Sequence, residues 1–300
     1  MRVTQLQLAE FATLSVTNAR ARMLASQEIA ATGKRVETPS DDPSGATQSR
    51  LLNGLLSETG AYTDNIEFGR LRLQRADQAL GEATNILTRA KELALQMASG
   101  TMTAEQRTLA AQEVDTLRLA IIDLANTRQG EEYIFANVAS TTAPVDPSGA
   151  FTYDIDTYSS VRVVEIGPTS RGEISGSGAN AFGARAADPK SIDVFATLND
   201  LATNLRANDP AAIRTSVDAI DLATSQVIAE RSLVGVRENR LDNAAISASQ
   251  AEALYKSLDS DIVDADAAQA FSELALAQTN MQAAVTVASR MLGPSLLDSI

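Results

Sequence analysis

No cysteine, histidine or tryptophan occurs anywhere in the 300 residues. Their joint absence removes thiol and imidazole nucleophiles and bases, together with the usual zinc, haem and iron–sulfur ligand sets. Without cysteine there are no disulfides, which suits the cytosol and equally suits an exported protein that must avoid wrong cross-links. Positive charge is also short. Against 38 Asp and Glu stand 25 Lys and Arg, a net charge of -13, the wrong sign for nucleic acid or anionic lipid. Neither a nucleic acid nor a membrane is expected as partner. No apolar run reaches the ~18 residues that span a bilayer. Residues 1–23 are interrupted by Gln5, Gln7 and Glu10 where a signal peptide needs a continuous apolar core, so any export is expected to proceed without a cleaved leader.

What the chain has instead is helical periodicity. With 44% hydrophobic residues it can bury a substantial core. Tyr62, Ile66, Gly69, Leu73, Ala76, Leu80, Ala83, Leu87, Ala90, Ala94 and Met97 alternate in steps of four and three, a coiled-coil seam. The phase extends back through Thr59 to Leu55 and Leu52, so one helix is expected from about Ser44 to Ala98. At ~1.5 Å per residue that helix is roughly 80 Å long, whereas a compact chain of this size has a radius of gyration of only ~19 Å; a rod is expected. Ser99-Gly100 should close the helix with a left-handed glycine cap. Thr103 to Gln106 reads as a capping box that opens a second helix, antiparallel to the first, through Ala110, Val114, Leu117, Ile121 and Leu124.

A third long helix is expected from Asp209-Pro210, an N-cap followed by proline at the first position. Its seam repeats every seven residues at Ile213, Ile220, Val227, Val234, Leu241, Ala248, Tyr255 and Ile262. Thr224, Arg231 and Glu238 occupy the second slot and predict a wet edge. Between the helical parts, residues 133–195 hold seven of the twelve aromatics. Alternation in Phe151 to Ile155 and the β-branched run Val161 to Ile166 predict short strands in a β-rich insertion. Gly172, Gly176 and Gly178 read as turns there, not as a dinucleotide loop.

The two ends of the chain resemble each other. Glu273 and Arg290 are the only charges from Ala267 to Leu297, so a helix there has no solvated face. Leu6, Phe11 and Leu14 near one end, and Phe271, Leu274, Met281, Val285 and Leu292 near the other, are candidates for burial in an assembly. Alanine-rich helices return little for the ~1 to 2 kcal/mol of entropy per ordered residue. The ends are therefore expected to stay mobile in a monomer and to order against neighbours.

The stretch ATGKRVETPSDDPSGA, Ala31 to Ala46, is not a phosphate loop. Gly33-Lys34 is followed by Arg35, and Glu28 occupies the upstream glycine position of a Walker A motif. It reads instead as a rigid corner. Gly33 is a helix C-cap with Lys34 and Arg35 at the negative end, Pro39 holds Thr38 extended, and Asp42-Pro43 is an N-cap with Asp41 beside it. Arg35 is expected to pair with Asp41 or Asp42. The run Asp259, Asp261, Asp264, Asp266 lacks the glycine and glutamate of a calcium loop and reads as a solvated hinge. No catalytic residue, metal ligand or cofactor site is expected.

The same corner stretch is similar to the motif that follows the first helix in the flagellin-like family, most closely in its hook–filament junction members. RAKELALQMASGTMTAEQR (Arg89 to Arg107), LANTRQGEEYIFAN (Leu124 to Asn137), LVGVRENRLDNA (Leu233 to Ala244) and SLLDSI (Ser295 to Ile300) extend the resemblance. Asn137 stands where the family usually has glycine. The resemblance implies a mainly α, elongated coiled-coil rod made from N- and C-terminal segments, with a small β-rich insertion domain at its tip. Expected boundaries are 1–40 (inner-tube helix and corner), 41–135 (coiled coil), 136–195 (insertion), 196–260 (C-terminal coiled coil) and 261–300 (inner-tube helix). It implies a non-enzymatic, extracellular flagellar subunit that self-assembles into a ring between hook-associated protein 1 and flagellin, after export with a flagellar chaperone. A minor flagellin and an intracellular coiled-coil scaffold are the alternatives.

Overall fold

Seven helices and four short strands make up the computed structural model, which describes residues 5–136, 141–154, 162–185 and 188–292. The helices are α1 (Gln5–Thr32), α2 (Pro43–Met97), α3 (Ala104–Ala125), α4 (Gly178–Phe182), α5 (Val194–Arg206), α6 (Pro210–Val263) and α7 (Ala267–Leu292). The strands are β1 (Arg128–Gln129), β2 (Glu132–Tyr133), β3 (Val163–Gly167) and β4 (Ser170–Glu173). The chain divides into two compact units, Met1–Glu58 with Ala251–Ile300, and Thr59–Gln250.

In the second unit the heptad positions are the core. Ile66, Leu73, Ala76, Leu80, Ala83, Leu87, Ala90 and Ala94 of α2 are fully enclosed with Ile213, Ile220, Val227, Val234 and Leu241 of α6. Ion pairs rim the seam: Arg231 to Asp77 at 2.7 Å, Arg70 to Asp242 at 3.0 Å and Lys91 to Asp221 at 2.6 Å. α3 joins the same core through Ala110, Ala111, Val114 and Ile121, and Arg89 on α2 meets Glu113 at 2.9 Å. Thr103 closes the expected capping box with Gln106, and Asp209 caps α6 by accepting from the amides of Ala211 and Ala212 at 2.9 and 3.1 Å.

Several expectations need correction. Gly100 does not adopt positive φ; the C-terminus of α2 is closed instead by the buried Arg107, which donates to the carbonyls of Met97 at 2.9 Å and Ser99 at 2.8 Å. A guanidinium with five N–H groups can satisfy several orphan carbonyls together, so the glycine cap is unnecessary. The stretch 196–209 is not part of the long C-terminal helix. It belongs to α5, capped by the Asp193 side chain on the Ala196 amide and stopped at Asn208 with φ 56°, where asparagine tolerates the left-handed region. Val194, Leu198, Leu201, Ala202 and Leu205 bury its inner face against α3.

On α6 the second buried slot is Ser216, Ala223 and Glu230, not Thr224, Arg231 and Glu238. Arg231 is free to reach Asp77 because Gly81 leaves room for its guanidinium, 3.3 Å from where a Cβ would stand.

The insertion is sparser in strands than its composition suggests. β1 and β2 form a hairpin around Gly130 at φ 62°, and β3 and β4 form a second antiparallel pair with an irregularity between Glu165 and Gly167. Within the described residues, 151–154 carry no strand, only a bridge from Phe151 to Val145. Phe151 and Tyr153 instead join an aromatic cluster with Phe195, Phe182 and Phe135 at centroid separations of 5.6 to 5.9 Å. Gly172, Gly176 and Gly178 are close-approach positions, not turns: a Cβ on Gly172 would sit 2.9 Å from Leu241 Cδ2, and one on Gly178 2.9 Å from the Phe135 carbonyl.

Candidate assembly interface

The first unit pairs α1 with α7 in antiparallel fashion, as the bond from the Ala265 amide to the Gly33 carbonyl requires, and its inner seam is rich in alanine. On α1 the less exposed positions are Ala9, Ala12, Val16, Ala19, Met23, Ser26, Ile29 and Ala30; on α7 they are Ala270, Leu274, Ala277, Met281, Ala284 and Ala288. Both runs step by three and four. With each buried methylene worth ~0.8 kcal/mol, an alanine seam contributes little compared with the ~1.5 to 3 kcal/mol of a buried Leu or Phe.

Apart from Met23, Ile29, Leu274 and Met281, most large apolar side chains of the two helices lie elsewhere. Phe11 is 66% exposed, Phe271 60%, and Leu14, Leu24, Leu276, Val285, Val287 and Met291 are exposed as well. A groove of about 890 Å³ runs between the helices, with Phe11, Leu14 and Leu276 along it and Asn18, Arg22 and Glu273 among its polar lining. Of the residues singled out from sequence, Phe11, Leu14, Phe271 and Val285 face outward, whereas Leu274 and Met281 are half-buried in the seam between α1 and α7. The side chains of Leu6 and Leu292 lie outside the described residues, as do Asn137 and residues 293–300.

The corner is built as its residue types require. Gly33 takes φ 69° and its amide donates to the Ile29 carbonyl at 2.9 Å, ending α1. Asp42 caps α2 by accepting from the amides of Ser44 and Gly45 at 3.1 and 3.0 Å, and Pro43 opens the helix. These bonds, the Ser44 hydroxyl and the nearby Arg35 hold the Asp42 carboxyl down at about 2. Asp41 accepts from the amides of Thr38 and Glu37 at 2.7 and 3.2 Å, and the Thr38 bonds pull its pKa down too.

Arg35 pairs with Asp42 at 3.3 Å, the one of its two expected partners that the fold places within reach. It also does something the sequence reading missed: Nη2 donates to the Ile262 carbonyl at 2.6 Å, while the Arg35 and Val36 amides donate to the Val263 carbonyl at 2.7 and 3.2 Å. The α1–α2 corner is thus tied to the end of α6. Beside it, the backbones of Lys34 and Asp264 form an isolated antiparallel β-bridge, and Asp266 caps α7 through the Ala268 and Gln269 amides. Pro39 lines a cleft of about 310 Å³ with Val36, Ala46 and Asp259. The aspartate run therefore ends one helix and starts another; no group of metal-ligating side chains occurs among the described residues.

Two buried ionic networks in the second unit were also missed. Arg72 on α2 donates to Glu132 at 3.1 Å and to the Tyr133 carbonyl at 2.8 Å, anchoring the β1–β2 hairpin, and Arg162 meets the same carboxylate. Glu230, 1% exposed on α6, accepts from the Ser177 amide at 2.8 Å and from Arg237 at 3.1 Å, while Arg237 also holds Glu173 at 2.7 Å. Both clamp the insertion onto long helices.

Long amphipathic helices from both halves of the chain, a β-poor insertion clamped on them, and terminal helices with outward apolar side chains define a structural assembly protein. The chain belongs to the bacterial flagellin family: the model of the flagellin N-terminal helical region matches residues 3–140 and that of the C-terminal helical region residues 217–297. It is 26% identical over 297 residues to the flagellar hook-associated protein 3 of Escherichia coli (strain K12), covering 94% of each chain. To the protein of the same name from Salmonella typhimurium it is 25% identical, over 99% of this chain and 98% of that one. A putative flagellar hook-associated protein from Vibrio parahaemolyticus has a similar fold, with TM-score 0.67 and 21% identity over 75% of this chain and 100% of that one.

Proposed function

We propose that this chain is the subunit that joins hook to filament, forming a ring between hook-associated protein 1 and the first flagellins at the outer end of the hook. The observation that carries the reading is the near end-to-end match to two proteins named flagellar hook-associated protein 3, over 94% and 99% of this chain. The alanine seam of α1 and α7 supports it, because a pair so thinly packed gains most of its burial from neighbours.

On this reading Phe11, Leu14, Phe271 and Val285 pack between subunits, together with Leu6 and Leu292. Leu274 and Met281 hold α1 to α7 within a subunit. Residues 1–40 and 261–300 form the inner tube, 41–135 and 196–260 the wall, and 136–195 the outer insertion. The work is mechanical, with no catalysis or cofactor, and the subunit reaches its place through the flagellar export apparatus with a dedicated chaperone.

Deleting the gene should leave cells with hooks but no filaments, with flagellin shed into the medium. Complementation with Phe271→Asp should restore secretion of the subunit but not filaments. Normal filaments in the deletion strain would refute the reading. A second reading, a minor filament subunit, is favoured by the match to both flagellin end regions; it predicts that the deletion shortens or weakens filaments without removing them.

A further inference from the structure

The second unit carries two exposed stripes on different helices that complement each other in charge. On α3, Glu105, Leu109, Leu119 and Asp123 are all exposed, and at 100° per residue they fall within an arc of ~80°. The stripe is acidic at both ends and carries Leu109 and Leu119 on either side of the exposed Gln112 and Thr116, and Leu109 is 65% exposed. No ion pair among the described residues engages Glu105 or Asp123. On α6, Asp218, Leu222, Ala229, Leu233, Val236 and Arg240 are exposed within an arc of ~60°, and Val236 is 65% exposed.

Beside this second stripe lies a pocket of about 420 Å³ whose rim includes Leu222, Leu233, Arg185 and Lys190. Its floor is preorganised. Gln226 donates to the carbonyls of Ala181, Gly183 and Ile192 and accepts from the Ile192 amide at 2.8 Å, and the buried Glu230 is neutralised by Arg237. Asp188 also lies on the rim, its carboxylate engaged by the Lys190 amide at 3.0 Å. The Arg185 Nε is buried without a hydrogen-bond partner.

We infer that the α3 stripe of one copy docks on the α6 stripe of the next, with Leu109 entering the pocket and Glu105 and Asp123 meeting the cations Arg185, Lys190 and Arg240. Along the helices Leu109 to Asp123 is ~21 Å and Ala229 to Arg240 ~17 Å, a difference that the long Arg240 side chain can span. Like-with-like docking is opposed by charge: acid meets acid at α3, and at α6 the cations Arg185, Lys190 and Arg240 outnumber Asp188 and Asp218. The contact is therefore heterologous, a head-to-tail join that repeats around a ring or along a helix and does not stop at a dimer. This assigns lateral faces to the subunit on the reading proposed above.

The absence of cysteine makes the test clean. A chain carrying both Leu109→Cys and Ala229→Cys, expressed in the deletion strain, is treated with a short bis-maleimide in the sheared flagellar fraction. The expected result is a ladder of cross-linked multimers from the double variant and monomer from each single variant. Glu105→Lys with Asp123→Lys should abolish the ladder, and adding Lys190→Glu with Arg240→Glu should restore it. Dimers from a single variant, or monomer from a double variant present in that fraction, would overturn the inference. If the double variant fails to fold, Leu119→Cys with Val236→Cys reads the same two faces. If even the unaltered chain is absent from the flagellar fraction, the proposed function fails; cross-linking the concentrated full-length protein then decides the faces independently.

Discussion

Arg35 reaches across 227 positions of chain to the carbonyl of Ile262, at 2.6 Å, while its other terminal nitrogen holds Asp42. One side chain therefore links the corner after α1, the start of α2 and the end of α6. Arg35→Ala should lower stability by ~1 kcal/mol, the upper end for an exposed ion pair, and hydrogen exchange should speed up around residues 262–266. Arg35→Lys should recover only part of the loss, since an ammonium on a flexible stem cannot serve both acceptors in one fixed fork. Unchanged exchange at the α6–α7 link in Arg35→Ala would show that the tie is dispensable.

The Asp42 carboxyl provides a pH test. Its pKa is about 2 when folded and ~3.9 in an unfolded chain, so its stabilisation is complete above pH ~4 and is lost as pH falls towards 2. Asp41 acts in the same direction. Asparagine still caps a helix but does not titrate. Chemical denaturation between pH 5 and 2 should therefore show a shallower decline for Asp42→Asn than for the unaltered chain; parallel curves would contradict the assignment.

Glu230 is a charge buried to 1% exposure. Replacing it with alanine leaves Arg237 without one of its two carboxylates and the Ser177 amide without an acceptor. Breaking a buried pair from one side costs ~3 to 5 kcal/mol. Glu230→Ala should lower the melting temperature by ~10 °C or more in the second unit, with proteolysis appearing first in residues 162–192. Loss of less than 1 kcal/mol would mean that the clamp is solvated.

Two glycines of α2, Gly60 and Gly69, should respond to alanine with opposite sign. Around Gly60 a Cβ would meet nothing within 4 Å, whereas at Gly69 it would lie 2.5 Å from Ile174 Cγ2 and 2.9 Å from Leu241 Cδ1. Gly60→Ala should stabilise by ~0.5 to 1 kcal/mol through helix propensity. Gly69→Ala should destabilise by ~1 to 3 kcal/mol through overpacking, the larger effect. Thermal melts of the two variants measure the difference directly.

These examples also show which parts of the molecule are legible in sequence. Seams such as Ile66 to Met97 and caps such as Asp42-Pro43, Thr103 to Gln106 and Asp209-Pro210 depend on neighbours a few residues away, and the periodicity places them correctly. Glu230 could not be found that way. A glutamate in a heptad reads as solvated, and what makes it internal is a backbone amide 53 positions earlier in the chain. The same holds for Arg107, whose capping role depends on a helix end that it meets only after the chain reverses.

The candidate interface divided along similar lines. Hydropathy singled out Phe271, Leu274, Met281 and Val285 together, but hydropathy is silent about partner. Only the pairing of α1 with α7 separates Phe271 and Val285, which face outward, from Leu274 and Met281, which are half-buried between the two helices. Met281→Asp therefore reports on the helix pair, and Phe271→Asp on contacts beyond it.

The central claim is a location, and location can be seen. Hooks purified from cells unable to make flagellin, labelled with gold-conjugated antibody against this chain and imaged by electron microscopy, should carry label only at the distal tip of each hook. Label spread along filaments in flagellin-producing cells would make the chain a filament subunit. Hooks without label, with the protein retained inside the cell, would contradict the account outright.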